Sequence, residues 1–396
     1  MKIVASRYRS LFYTLFVTFV LFGTAMTVVG AVLPTMLKDF GWNYGIAGAL
    51  MAAGSLGSFL AMYTIGRAVD RLGPRTVLAT GFGLTAAALA AFGLTPSPVL
   101  NIALYFAFGV GSACLEVGVN WVALHMDEEG AGRPMNIMHG AFSIGAVFGP
   151  FLMGILLGLN INWTILYRGV AALFAILLAV IFFLPLSTLP RTEKREEAGP
   201  AAKAGIARYI GFAALLFYVG TELGISNWAA EYFVRAFAYT AASASFIVAV
   251  FWAGLSLGRF GIPVFFPQAR PDRLLVALSI LLAAAVIALA GLGGLGPAAS
   301  VLAVVAVALA GLGASCVYPS VITLVGQAHQ GAPGPAIGIS AAGGAFGAFV
   351  FPFLMSAIST AKGVHAGFIF YAAMGVLSLV ASMVLARHLA SKRAAR

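Results

Sequence analysis

The chain has 396 residues, 61% of them hydrophobic and only 9% charged, with 47 glycines and a formal net charge of +11. So few charges could not cover the surface of a soluble domain of this length, whereas lipid solvates an apolar exterior. The basic residues sit in short loops and tails between apolar runs, the pattern of cytoplasmic loops in a membrane protein, which argues against nucleic acid as the partner.

Apolar runs of helix-spanning length predict helices over about 11–33, 44–65, 76–95, 100–125, 134–158, 164–186, 208–233, 241–265, 272–293, 298–325, 333–358 and 363–386. The first run follows a short basic segment and imitates a secretory signal. It is too long for one and many spans follow, so it reads as a retained first helix. Arg191, Glu193, Lys194, Arg195, Glu196, Glu197 and Lys203 mark a hydrophilic linker after the sixth helix. The predicted organisation is a six-helix bundle over 1–186, a cytoplasmic linker over 187–207 and a second six-helix bundle over 208–396.

With alternating spans, 19 Lys and Arg residues fall on one side and four (Lys38, Arg168, Arg235, Lys362) on the other. The bias places both termini in the cytoplasm. The chain also repeats itself. Gly109, Gly111 and Cys114 in the fourth helix are spaced as Gly311, Gly313 and Cys316 in the tenth, at an offset of 202. Gly145, Ala146, Pro150, Phe151, Leu152 and Met153 recur at the same offset as Gly347, Ala348, Pro352, Phe353, Leu354 and Met355. Parallel repeats of this kind predict a substrate site near the midplane and two bodies that rock about it.

The segment between the second and third helices reads Gly66-Arg67-Ala68-Val69-Asp70-Arg71-Leu72-Gly73-Pro74-Arg75. It resembles the loop motif of the major facilitator superfamily, G-x-x-x-D-R-x-G-R-[RK], and departs from it at Pro74. The resemblance implies an all-α membrane protein of twelve transmembrane helices in two six-helix pseudo-symmetric bundles, and a secondary transporter working by alternating access. It also implies that Gly66, Asp70, Arg71, Gly73 and Arg75 gate the cytoplasmic side without touching substrate. Gly66 would allow close helix approach, and Asp70 would engage a helix N-terminus or a basic residue. The eighth helix holds only an echo of the motif, Gly258-Arg259.

The fourth helix carries Glu116 near its middle, with Asn120 one turn on. A carboxylate at that depth is costly unless it is neutralised, paired or facing water, and it suits a group that takes up and releases a proton. Asn136 and His139 open the fifth helix one turn apart. The stretch Cys114-Leu115-Glu116 with Asn120, then Asn136 with His139, resembles the fucose/galactose/glucose–proton symporter family within the superfamily. In that family a C-L-E-x-x-x-N helix and an N-x-x-[QH] start carry sugar and proton binding. Phe217-Tyr218-Val219-Gly220-Thr221-Glu222 through Trp228, and Phe251-Trp252 through Phe260, resemble its seventh and eighth helices. By this resemblance Glu116 and Glu222 are the proton-coupling candidates. Glu116, Asn120, Asn136, His139, Asn227, Trp228, Trp252 and Tyr318 are the substrate-binding candidates, the aromatic rings stacking on sugar C–H faces. One departure stands out. The family often has an Asp in the first helix four residues before a Leu-Pro turn, and here that place, before Pro34, is held by Gly30. Coupling then rests on Glu116 or Glu222, or transport is uncoupled.

Plainer readings accompany these. Arg259 and Arg168 read as side chains snorkelling to an interface, Glu231 as a solvated helix end, and Cys114 and Cys316 as small packing residues. No Gly-x-x-x-x-Gly-Lys-Ser/Thr loop for ATP is present and the five histidines show no metal-ligand spacing. The expectation is therefore a monomeric carrier in the cell inner membrane, not an enzyme. It has no catalytic residues, metal or cofactor, and no nucleic-acid partner. Its ligands are a sugar-class solute and a coupling proton. An exporter of amphipathic compounds and a non-transporting membrane sensor on the same fold are the competing readings.

Overall fold

A computed structural model describes residues 4–126, 133–189, 205–266, 268–329 and 333–394, and these are helical apart from turns and short connections. In the first half the helices are α1 (Arg9–Phe40), α2 (Tyr44–Leu72), α3 (Pro74–Ala91), α4 (Pro98–Met126), α5 (Arg133–Gly158) and α6 (Thr164–Val180). In the second they are α7 (Ala207–Phe237), α8 (Ala241–Phe265), α9 (Pro271–Gly293), α10 (Ser300–Ala314), α11 (Val317–Ala328), α12 (Pro333–Lys362) and α13 (Val364–Ala394). Among the described residues eleven segments are long and apolar enough to cross a membrane, and one of them, Gly296–Ala328, takes in both α10 and α11. The remaining helix, α3, has 18 residues and is about 27 Å long, which completes a set of twelve. The charged linker residues from Arg191 to Lys203 lie outside the described residues.

Two boundaries depart from the sequence reading for identifiable reasons. The second helix does not end near residue 65 but runs to Leu72. The polar residues after Gly66 mark its exit from the apolar zone, and nothing before Gly73-Pro74 breaks it. Gly73 stands at φ 82° as the N-cap of α3, a left-handed conformation that favours glycine. Pro74 follows at the first helical position, where its missing N–H costs nothing. The tenth span is broken at Ser315-Cys316. Pro319 explains the break: it has no N–H for the carbonyl of Ser315 four residues back, and its ring crowds that carbonyl.

The chain forms two compact units, one of Met1–Trp42 with Ala49–Lys194 and one of Asn43–Gly48 with Arg195–Arg396. Each is held by glycines pressed on neighbouring backbones, as suits helices that pack without a hydrophobic driving force. In the first unit a Cβ on Gly109 of α4 would overlap the Gly54 carbonyl of α2, and one on Gly111 would meet Thr85 of α3. In the second, a Cβ on Gly311 of α10 would overlap the Phe251 carbonyl of α8, and one on Gly313 would meet Leu282 of α9. Gly145 of α5 sits on the Val20 carbonyl of α1 as Gly347 of α12 sits on that of Leu216 in α7. The two units therefore repeat one packing scheme. Gly54 and Thr85 map to Phe251 and Leu282 at an offset of 197, while the fourth and fifth helices map at 202. Five extra residues between the third and fourth helices of the second half account for the difference.

Candidate functional site

In the first unit Glu116 and Asn120 stand one turn apart on α4, both half-buried. Among the described residues no cation or hydrogen-bond donor pairs with Glu116, and the Asn120 Oδ1 atom is buried without a partner. An unmade hydrogen bond at such a place costs about 1–3 kcal/mol. It is a structural expense with no packing return, as expected of a group that awaits a ligand or water. Asn136 lies on the first turns of α5, but its side chain is outside the described residues. His139 is exposed and sets its ring edge-on to Phe19, with centroids 5.9 Å apart.

The motif after Gly66 occupies the end of α2 rather than a loop. Gly66 makes no close approach: a Cβ there would meet no atom within 4 Å. Asp70 sits on the last turn of α2, the end at which a carboxylate is disfavoured by the helix dipole. The Trp121 Nε1–H group of α4 donates to Asp70 Oδ1 at 3.1 Å. Trp121 in turn stacks on His125, with centroids 3.6 Å apart and planes at 17°, and packs beside the buried Val69, Val77 and Cys114. Arg71 is exposed. Arg75 Nη2 donates to the Leu184 carbonyl at 2.9 Å, tying the start of α3 to the chain after α6. Trp121 and His125 were not among the candidates, because nothing in the spacing marks an indole as the carboxylate's partner.

The second unit holds the denser polar site. Glu222 is central in α7 and buried. Arg259 Nη2 of α8 lies 3.9 Å from Glu222 Oε1, and Arg259 Nε donates to the Ser315 carbonyl at 3.2 Å. Tyr218 OH donates to the Ala314 carbonyl at 2.7 Å. The two carbonyls exposed by the break in the tenth span are thus taken up by a phenol and a guanidinium. Arg259 does not snorkel to an interface; it turns into the bundle, because Pro319 leaves it an acceptor and Glu222 a counter-charge.

Two further readings are corrected. Glu231 is not a solvated helix end but fully buried. Its Oε1 accepts from Tyr44 OH at 2.7 Å and from Arg235 Nε at 2.8 Å. Arg168 Nη1 donates to the Leu89 and Phe92 carbonyls at 2.7 and 2.8 Å, which caps the C-terminus of α3. Of the candidate aromatic platforms, Trp228 is fully buried against Tyr44, at 5.5 Å between centroids. Trp252 is buried with its Nε1–H donated to Ser226 Oγ at 2.8 Å. Tyr318 is 36% exposed, and Asn227 is half-buried. Cys114 and Cys316 are free, buried thiols.

The packing repeat does not extend to this chemistry. At the offsets that superpose the glycines, Glu116 maps to Tyr318 and Arg259 to Met62. The scaffold is duplicated and the charged groups are not.

The family model for the Major Facilitator Superfamily matches residues 15–333. The chain belongs to the Major Facilitator Superfamily. It is a multi-pass membrane protein of a transporter superfamily, which is not an enzyme family. An MFS-type transporter of Yersinia pestis is 24% identical over 244 residues, 61% of this chain and 62% of that protein. The gallate transporter of Pseudomonas putida is 27% identical over 227 residues, 56% of this chain and 48% of that one. The chain thus spans about half to three fifths of the length of these relatives. Among solved structures, the D-xylose–proton symporter matches with a TM-score of 0.79 at 14% identity, over 96% of this chain and 97% of that one. The nucleoside transporter NupG matches at 0.74 and 17%, over 96% and 99%. The Escherichia coli fucose:proton symporter FucP matches at 0.63 and 18%, again over 96% and 99%. At these identities the likeness is one of superfamily fold.

Proposed function

We propose that this superfamily member is a proton-coupled symporter of a small, polyhydroxylated solute of the sugar class. In this reading it works as a monomer in the cell inner membrane with both termini cytoplasmic. The observation that carries it is the pair Glu116 and Asn120: among the described residues, a carboxylate without a cation beside an amide oxygen without a donor, one turn apart within a span. Lipid-facing groups of this kind are costly, whereas groups facing a solute hydroxyl and a proton are matched. Amphipathic drugs would leave both unsatisfied, which counts against the exporter reading. The Lys and Arg asymmetry supports the orientation. The titratable carboxylate and the engaged Asp70–Trp121 contact support a moving carrier over a sensor. The test is uptake by proteoliposomes under an inward pH gradient, with D-xylose, uridine and gallate as probes and ethidium as the amphipathic control. Acid-driven accumulation of a hydroxylated probe is expected; ethidium movement alone would overturn the reading.

Asp70 has its place in the same proposal as a gate, acting through Trp121 and remote from Glu116 in role. Asp70→Asn keeps an oxygen acceptor for the indole and removes the charge. A charged hydrogen bond of this sort biases a two-state equilibrium by about 1–3 kcal/mol. The variant is expected to transport about ten-fold more slowly, and its substrate affinity should change only by the population factor. Spin-label distances across the two membrane faces check this: unchanged distributions with a large loss of affinity would place Asp70 in the binding site instead.

A further inference from the structure

Arg259 is an unusual expense. It lies in a span, six residues before the end of α8, and its side chain is 30% accessible while that of Glu222 is 10%. A guanidinium at that depth is tolerated only toward a bundle interior or a water-filled cavity. Its hydrogen bonding is also incomplete. Nε is used on the Ser315 carbonyl. The contact with Glu222, at 3.9 Å, is an ion pair longer than a hydrogen bond. No described group takes the fork of Nη hydrogens, which matches a carboxylate in two parallel bonds. Beside it α11 begins at Val317 with no side-chain cap. The groups around the pair are Tyr218 on α7 and Cys316 at the break. α12 and α13 pack on the opposite face of α7, with Phe351 against Gly220 and Tyr371 against Gly224. Among the described residues Glu222 is therefore the one acid that competes for Arg259.

We propose that Arg259 binds the carboxylate of a hydroxylated monocarboxylic acid, and that Glu222 gates this site by giving up its hold on Arg259 when it takes a proton. The inference rests on the reading of the chain as a proton-linked carrier of hydroxylated solutes, and narrows it from neutral sugars to acids such as aldonic or polyhydroxybenzoic acids. In the ionised state Glu222 neutralises Arg259 and holds an anionic ligand off by like charge. Once Glu222 is protonated the cation is unbalanced, and an incoming carboxylate restores neutrality. Proton and anion then bind together, so acid binding tightens as pH falls.

The test is ligand binding to the full-length protein in nanodiscs, by calorimetry, with gallate against 3,4,5-trihydroxybenzamide and D-xylonate against D-xylose. Gallate and its amide differ only in the charged group, while D-xylonate is the open-chain acid and D-xylose the neutral cyclic sugar of the same carbon skeleton. In the wild type at least one acid is expected to bind ten-fold or more tighter than its neutral partner at pH 5.5, with affinity falling as pH rises. Glu222→Gln, which imitates the protonated acid, is expected to bind that acid tightly at every pH. Arg259→Gln is expected to lose about thirty-fold or more and to bind acid and neutral partner alike. The wild-type comparison needs no variant, so a misfolded Arg259→Gln does not spare the proposal. Tighter binding of D-xylose than D-xylonate, with no acid preferred, overturns it and leaves the sugar reading standing. Failure of all four probes to bind overturns both. Loss of acid binding in a folded Glu222→Gln overturns the gating step.

Discussion

Glu116→Gln is expected to abolish accumulation of substrate against a gradient while leaving exchange of substrate for substrate in place. Glutamine keeps the size and one oxygen of the side chain but cannot take up or release a proton. A carrier that must bind a proton before it can reorient or load would then work as if permanently protonated. Exchange needs only loaded carrier moving back and forth, so it survives; net concentrative uptake requires the proton to leave, so it does not. The size of the effect follows from the gradient. One pH unit is worth about 1.4 kcal/mol per proton, which supports about ten-fold accumulation of a neutral solute. The variant should give an internal-to-external ratio near one under the same gradient. Proteoliposomes loaded at pH 7.5 and diluted into pH 6.5 measure the ratio, and counterflow of labelled substrate measures exchange. Accumulation as steep as wild type would remove Glu116 from coupling and leave Glu222 to carry it. Loss of both activities in a folded variant would instead make Glu116 a binding group first.

What the sequence allowed to be read divides along physical lines. Helix number and type were legible because twenty apolar residues in a row have few other uses. The repeat was legible only in the fourth, fifth, tenth and eleventh spans, which keep one offset. The contacts of Gly57 and Gly254, each pressed on the backbone of the fourth or tenth span, repeat at 197, so the earlier helices fell out of register with the later ones. The end of α2 was missed because hydropathy reports where lipid stops, not where a helix stops. Among site residues, Glu116 and Glu222 stood out as acids inside apolar runs. Arg259 looked like an interfacial residue, because its partner is a backbone carbonyl, invisible to composition. Pro319 was the available signal: a proline four residues after Ser315 frees that carbonyl, and a nearby arginine on another helix can take it. Glu231 was misjudged for a related reason. Its burial depends on Tyr44, which is 187 residues away in the chain and bears no mark of the pairing.

The glycines make the second large prediction, and they separate by contact rather than by position in a helix. Gly311→Val is expected to cost the folded protein at least the ~1–3 kcal/mol typical of overpacking. Its new Cβ would overlap the Phe251 carbonyl with the Leu255 nitrogen close by, and backbone cannot swing aside as a side chain end can. α8 and α10 would have to separate. That would loosen Gly254, which presses on Ala308, and disturb the break at Ser315, where Arg259 is anchored. Gly109→Val makes the same collision with Gly54 in the other unit and should cost a similar amount. Gly169→Ala is the contrast. Gly169 also lies within a helix, α6, yet a Cβ there meets nothing within 4 Å. Removing the conformational freedom of glycine at such a site stabilises a helix by up to about 1 kcal/mol. Thermal unfolding of the three variants in one detergent, followed by size-exclusion chromatography, gives the comparison. Gly311→Val and Gly109→Val should melt well below the parent or elute as aggregate, and Gly169→Ala should melt at or above it. A Gly311→Val protein that is monodisperse with an unchanged melting temperature would mean that α8 and α10 do not pack backbone to backbone, and the duplicated scheme would lose its central contact.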